Sequence, residues 1–207
     1  MAAGKLPFIF LISLLFLFNL AIFTVPYLAS QGDPLADVLY SLFSPTCHQL
    51  LSRSLCLFQS QSGAYSIRDC LPQDEESSYS RANSIIQGDE IGYKFPVCSR
   101  DVAIYLAMLI GLIFLPFIRR IESEDWLPTW VLIAAAVPVA IDGGTQLLGF
   151  RESTNSIRLI TGAIIGVVLP FYLLPMLNAM VSFSREKLAE WTKKSRIEHK
   201  NKESKKH

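Results

Sequence analysis

The chain has 207 residues, of which 51% are hydrophobic and only 18% are charged, and its formal net charge is +1. Soluble domains usually carry about 25% charged residues, so this shortage, together with long uncharged runs, excludes an ordinary soluble domain. The charges are unevenly distributed: residues 185–207 hold nine Lys and Arg against four Asp and Glu, whereas residues 32–100 hold five against eight. Because the basic tail directly follows an apolar segment, it is typical of a cytoplasmic flank and not of a nucleic-acid-binding arm.

Four apolar segments are long enough to cross a lipid bilayer, since about twenty helical residues span a hydrocarbon core of roughly 30 Å. They are predicted at about 6–28, 102–118, 127–150 and 157–183. The first segment has a rival interpretation as a secretory signal peptide cleaved near Ala29. Its apolar region exceeds the usual length of about 7–15 residues, so an uncleaved helix is favoured.

The predicted fold is all-α: an integral membrane bundle of four transmembrane helices with an extracytoplasmic excursion of roughly seventy residues between the first and second. Residues 1–183 form a single membrane domain, the excursion covers residues 29–101, and residues 184–207 form a basic cytoplasmic tail. Within the excursion, residues 45–58 have the apolar spacing of a helix, and residues 60–93 have the polar, aperiodic composition of a surface loop.

Orientation follows from the cations near the ends of the segments, because positively charged residues favour the cytoplasmic side. If both termini are cytoplasmic, Lys5, Arg119, Arg120 and the basic tail all lie on that side. The opposite orientation would place the nine cations of the tail outside. The sequence therefore predicts a multi-pass protein of the cell membrane with both termini in the cytoplasm.

All four cysteines, Cys47, Cys56, Cys70 and Cys98, lie in the excursion. An even number of cysteines in an oxidising compartment favours disulfides, and three pairings are possible. One interpretation joins Cys56 to Cys70 around the irregular segment and Cys47 to Cys98 at the two ends of the excursion. The other keeps the Cys56–Cys70 bridge and leaves Cys47 and Cys98 available for chemistry.

The chemical interpretation gathers Cys47, His48, Cys98 and Asp101 as sulfur, nitrogen and oxygen ligands of zinc or another transition metal. Adjacent Cys and His is not the usual ligand spacing, and both side chains reach one ion only from a turn. A reactive thiol, with His48 or an arginine lowering its pKa, is a second chemical alternative. In the simplest alternative, His48 only bonds to the backbone.

Asp142 is an ionisable residue inside the third apolar segment. A carboxylate at that depth is costly unless it is paired or hydrated, so it is a functional candidate. Gln146 lies one helical turn further along the same face, and Arg158 enters the fourth segment from the same side. An Asp142–Arg158 ion pair is therefore expected, and the spacing of Gly162 and Gly166 allows a neighbouring helix to approach closely.

Four arginines are expected at the outer face: Arg53, Arg100, Arg151 and Arg158. One interpretation is a site for a small-molecule or lipid ligand that is anionic, such as a phosphate or a lipid headgroup, with Asp142, Gln146 and Asn155 as polar neighbours. An equally simple one is that the arginines pair with Asp101, Asp142 and Glu152. The sequence does not decide between them, and it leaves the oligomeric state open.

Several motifs together resemble an uncharacterised prokaryotic family of small multi-pass membrane proteins, the domain of unknown function 2085. They are Cys47-His48-Gln49, Arg53-Ser54, Cys98-Ser99-Arg100, Asp142-Gly143-Gly144-Thr145-Gln146 and the run from Arg151 to Gly162. The resemblance covers roughly residues 45–170, with residues 60–93 resembling an insertion. It implies a membrane protein, and no activity comes with it.

The chain departs from the family at its second motif, which is usually Cys-x-Arg-Cys. Asp101 stands where the second cysteine would be, so a dithiol redox pair at that motif is lost, whereas an oxygen ligand for a metal is retained. Three functions stay open: a metal-binding protein, a transporter or ligand-binding component, and an accessory subunit with two disulfides. The chain contains no phosphate-binding Gly-rich loop, His-Glu-x-x-His or Gly-x-Ser-x-Gly, so no reaction is predicted.

Overall fold

A computed structural model describes residues 5–47, 50–60, 63–71 and 82–204, with side chains described as far as residue 196. The helices are α1 (Leu6–Ser30), α2 (Leu35–Phe43), α3 (Ser99–Ile118), α4 (Thr129–Leu147), α5 (Asn155–Val168) and α6 (Pro170–Ser204). The strands are β1 (Leu55–Gln59), β2 (Tyr65–Asp69), β3 (Ser84–Gln87) and β4 (Glu90–Lys94). A single 3-10 turn, Leu51–Arg53, precedes β1.

Four helical segments in the described residues are long and apolar enough to cross a membrane: Leu6–Ser30, Ser99–Ile118, Thr129–Leu147 and Asn155–Arg196. The last consists of α5 and most of α6, as far as Arg196, and the two helices follow one another almost without interruption. Pro170 begins α6, where the missing N–H of a proline costs little. The four segments agree with the predicted number of spans, and the predicted orientation stays a prediction.

The all-α prediction needs correction in the excursion, which contains a four-stranded antiparallel sheet of order β2-β1-β4-β3. Residues 45–58 were expected to be helical, but residues 55–58 lie in β1, one of the two central strands. The expected loop 60–93 contains β2, β3 and most of β4. In β1, buried and half-buried side chains alternate, because its two faces have different neighbours. A five-residue strand is too short for this alternation to be distinguished from a helical pattern.

The sheet is anchored by a small core and one disulfide. Cys56 in β1 and Cys70 just after β2 are joined, with their sulfurs 2.05 Å apart. Both are fully buried and pack with Leu51 and Phe58. Closing a loop of this length stabilises a fold by about 3 kcal/mol in the chain-entropy account, so the bridge fixes the segment that follows α2.

The helices pack most extensively where α3 meets α5. Gly162 and Gly166 face α3 directly, since a Cβ atom on either would lie 2.6 Å from a backbone oxygen of that helix. Small residues of this kind let two membrane helices approach until their backbones touch. The predicted role of the Gly162/Gly166 pair agrees with this geometry.

One end of the bundle lies against the sheet, and we call it the sheet end. The N-termini of α3 and α5 meet there through Ser99 and Asn155, and the C-terminal part of α4 joins them through Asp142 and Arg100. Asn155 also donates from Nδ2 to the carbonyl oxygen of Ser54, 3.2 Å away, just before β1. At the opposite end, Tyr172 donates to the carbonyl oxygen of Pro128 at 2.9 Å. The expected site residues gather at the sheet end.

Candidate functional site

A cavity of about 210 Å³ opens at the sheet end between the excursion and the ends of α3, α4 and α5. Its lining residues are Thr46, Cys47, Leu50, Arg53, Cys98, Arg100, Asp101, Gln146 and Arg158. Seven of these nine are residues that the sequence singled out for metal or ligand binding. They come from four separate stretches of the chain, so the fold alone brings them together. We call this cavity the arginine–thiol pocket.

One wall of the arginine–thiol pocket holds two thiols and a carboxylate. The ligand atoms of Cys47, Cys98 and Asp101 all lie within 4.8 Å of one another, and each side chain is half-buried. Cys98 is the N-cap residue of α3, with extended backbone angles, and Asp101 follows in the first turn. The Cys98 thiol donates to Asp101 Oδ2 at 3.1 Å. His48, the remaining expected metal ligand, lies outside the described residues.

Cys47 and Cys98 are not joined by a disulfide. The structure thus contains the first bridge of the two-disulfide interpretation, Cys56–Cys70, and not the second. The pKa of the Cys98 thiol is raised, first because the thiol shares a hydrogen bond with Cys47, then by burial and by the negative charge of Asp101. Without a cation the Cys98 thiol is therefore neutral, and binding a metal there would release its proton.

The other wall is formed by arginines around one amide. With its oxygen toward the arginines, Gln146 accepts from Arg158 Nη2 at 2.8 Å, and from Arg53 Nε at 3.3 Å and Nη2 at 3.1 Å. Arg158 is only 2% exposed, and its Nη1 reaches Asn155 Oδ1 at 3.2 Å and the carbonyl oxygen of Ser52 at 3.4 Å. All of these acceptors are neutral.

Asp142 is 1% exposed, and its partners correct the expected Asp142–Arg158 pair. Its Oδ2 accepts from Arg100 of α3, and its Oδ1 accepts from Arg151 Nη2 at 2.9 Å. Arg151 is held further by Thr145, whose hydroxyl accepts from Nε at 3.2 Å. Asp142 therefore ties α4 to the start of α3 and to the loop before α5, and it fixes Arg100 at the pocket.

Asn155 supports the pocket from behind and does not line it. Its Oδ1 accepts from the hydroxyl of Ser99 at 2.8 Å as well as from Arg158. Ser99 is fully buried and had not been identified as a site residue from the sequence. The available signal was a serine between Cys98 and Arg100 at the first turn of an apolar helix, where a hydroxyl commonly joins another polar group.

The structure thus divides the expected site residues into three groups. Seven of them line the pocket: Cys47, Cys98, Asp101, Arg53, Arg100, Gln146 and Arg158. Three position its arginines: Asp142, Arg151 and Asn155. The last two, Cys56 and Cys70, form the disulfide that joins β1 to the residue after β2. Arg100 belongs to both of the first two groups, because it lines the pocket and pairs with Asp142.

Comparison with known proteins agrees with the membrane-length helices described above. The model of the predicted membrane protein family DUF2085 matches residues 85–172, which include α3, α4 and α5 but not Cys47 or Arg53. An uncharacterised protein of Methanocaldococcus jannaschii is 34% identical over 183 residues, covering 86% of this chain and 96% of the relative. An uncharacterised protein of Methanothermobacter thermautotrophicus is 39% identical over 78 residues, covering 37% of this chain and 67% of the relative.

No solved structure matches the chain. The resemblance seen in the motifs is confirmed by the family match and by the near full-length relative. Together with the four apolar helices, these matches establish that the chain belongs to the DUF2085 family of predicted membrane proteins.

Proposed function

We propose that this protein is a metal-binding membrane protein, with zinc or a related transition metal held by Cys47, Cys98 and Asp101. The observation that carries the proposal is the convergence of the three ligand atoms to within 4.8 Å of one another. In a tetrahedral zinc site, bonds of about 2.0–2.3 Å place neighbouring ligand atoms roughly 3.5–3.8 Å apart. A closing of about one ångström therefore brings the set to coordinating distance, and His48 is the candidate fourth ligand.

The charges around the wall support the same assignment. Two thiolates and one aspartate around a divalent ion leave one net negative charge, and Arg53 and Arg100 line the same cavity. Cys98 also occupies the N-cap position of α3, and a helix N-terminus favours a negative sulfur. Both effects stabilise the metal-bound thiolates, although the raised pKa keeps the Cys98 thiol neutral in the absence of a metal.

Metal binding is tested on purified protein that has been stripped with a chelator and reloaded with zinc or cobalt. We expect about one ion per chain, and with cobalt an absorption band from sulfur-to-metal charge transfer. Cys47→Ser together with Cys98→Ser should remove the band and weaken binding by more than the roughly 10–100-fold that loss of an outer-shell partner costs. Asp101→Asn should weaken binding less.

Asp125→Asn is the matched control, because Asp125 is an exposed carboxylate in the loop at the opposite end of the bundle. It should leave the stoichiometry at one ion. Unchanged metal content in the double cysteine variant, or no metal uptake by protein with a normal melting temperature, would contradict the proposal.

We further propose that the pocket faces the outside of the cell, which the distribution of cations supports. Cysteines introduced as Ala64→Cys and Ser195→Cys, each in a background of Cys47→Ser and Cys98→Ser, should separate the two sides because both positions are exposed. A membrane-impermeant maleimide added to intact cells should label Ala64→Cys alone, and Ser195→Cys only after permeabilisation. The reverse pattern would show the inverted orientation.

A further inference from the structure

We propose that the arginine–thiol pocket also binds a small dianionic oxyanion, of the phosphate or phosphomonoester class, at Arg53 and Arg158. This site goes beyond metal binding and does not depend on it. Its starting observation is a pair of guanidinium groups that share one amide oxygen at the cavity wall. Neither guanidinium forms a salt bridge with a carboxylate anywhere in the described part of the chain.

The cost of burying an unpaired cation makes this arrangement informative. Arg158 is 2% exposed, and a buried charge without a counter-charge is strongly destabilising unless its hydrogen-bonding groups are fully satisfied. The acceptors of Arg158 are two side-chain amides and one backbone carbonyl, and Gln146 must also serve Arg53. An anion in the cavity would supply the counter-charge that these neutral acceptors do not provide.

A third donor points to the same ligand. Arg100 lines the cavity, and its Nε is buried without a hydrogen bond to any described residue, although its Nη2 is paired with Asp142. The N-terminus of α3 begins at the same wall with Ser99, and helix N-termini favour anions. Guanidinium groups bind tetrahedral and planar oxyanions through paired N–H donors.

The formal charges of the side chains at the pocket indicate the charge of the ligand. Arg53, Arg100, Arg151 and Arg158 contribute four positive charges, and Asp101 and Asp142 contribute two negative ones, so the described groups at the pocket carry a net charge of +2. A divalent metal that displaces two thiol protons leaves this sum unchanged. A dianion neutralises the pocket in either state, which favours phosphate over a singly charged carboxylate.

The cavity has the right size for such a group. Its volume of about 210 Å³ corresponds to roughly seven water molecules at about 30 Å³ each. This accommodates a phosphate with several waters, but not a nucleotide or a whole lipid. Either inorganic phosphate or the phosphomonoester headgroup of a lipid can present the required chemistry, and a lipid would keep its chains outside the cavity.

The test uses the full chain, free of metal, in an uncharged detergent at low ionic strength. Isothermal titration with inorganic phosphate should show one site per chain. Arg53→Gln should weaken binding at least about tenfold, because it removes a charged hydrogen-bonding partner, and Arg53→Lys should weaken it less. Arg120→Gln, an exposed arginine at the opposite end of the bundle, is the matched control and should bind as the unmodified protein does.

A second titration, with short-chain phosphatidic acid, distinguishes the sources of the phosphoryl group. Competition between the lipid and phosphate supports one shared site, and binding of the lipid alone supports a headgroup site. Arg158→Gln is a second variant, used only if its melting temperature stays normal. The proposal is overturned if neither probe binds to folded protein, or if Arg53→Gln binds phosphate as tightly as the unmodified chain. Phosphate is titrated into metal-free protein and metal into phosphate-free protein, so failure of the metal proposal is separable from failure of this one.

Discussion

Replacing Asp142 with asparagine should lower the stability of the folded protein by about 3–5 kcal/mol, the range for removing one partner of a buried ion pair. Asparagine has nearly the same shape, so the effect is due to charge. The carboxylate is 1% exposed and accepts from both Arg100 and Arg151. Without it, Arg100 is left partly buried and unpaired, in a pocket that already contains Arg53 and Arg158.

The measurement is the melting temperature of the purified protein in detergent, together with the amount of folded protein recovered from membranes. Arg151→Gln should cost much less, because the side chain of Arg151 is 43% exposed and its partner keeps Arg100. Asp125→Asn again serves as a surface control and should change little. A melting temperature for Asp142→Asn equal to that of the Asp125→Asn control would contradict the structural role assigned to Asp142.

The same substitution bears on the anion site. Asp142 pairs with Arg100 at the cavity wall. Replacing its carboxylate with an amide leaves the Arg100 guanidinium without that partner and raises the net charge of the site by one. If Asp142→Asn still folds, added phosphate should raise its melting temperature by more than it raises that of the unmodified protein. A bound ligand stabilises the folded state in proportion to the logarithm of its concentration relative to its dissociation constant.

The four apolar helices were predictable from the sequence because each is a local property. About twenty apolar residues in a row have one favourable arrangement in a bilayer, a helix whose backbone groups bond internally. The small sheet was not predictable in this way. The pairing of β1 with β4 joins Cys56 to Lys94 across nearly forty residues, and neither five-residue strand has a pattern that specifies its partner.

In the site, too, the sequence identified the candidate residues better than it identified their bonding partners. Cys47, Cys98, Asp101 and the arginines were identified as candidates because polar and charged groups at apolar helices are costly to place and are commonly functional. Their partners were predicted less well. Arg158 was expected to pair with Asp142, but four arginines bond to side chains near that end of α4. The packing of α3 against α5 brings Arg100 to Asp142 and leaves Arg158 with Gln146.

That packing leads to the second large effect, at Gly166. A Cβ atom there would lie 2.6 Å from the carbonyl oxygen of Ile104 and 2.9 Å from Ala107 Cβ, so α3 and α5 would have to move apart. We expect Gly166→Ala to destabilise the protein by about 1–3 kcal/mol, the usual cost of overpacking, and Gly166→Leu to cost more. Close packing of helix backbones at small residues is a main source of helix association in membranes.

Gly144 provides a matched control, because it lies within α4 and an added Cβ would meet no atom within 4 Å. Alanine is the better helix former by about 1 kcal/mol, so Gly144→Ala should leave stability unchanged or raise it. Replacement by alanine is thus expected to lower stability at Gly166 and not at Gly144. Since Gly162 and Gly166 lie on the face of α5 that also carries Arg158, separation of α3 from α5 should also weaken phosphate binding. Equal melting temperatures for the Gly166→Ala and Gly144→Ala variants would show that the close approach of α3 and α5 does not stabilise the bundle.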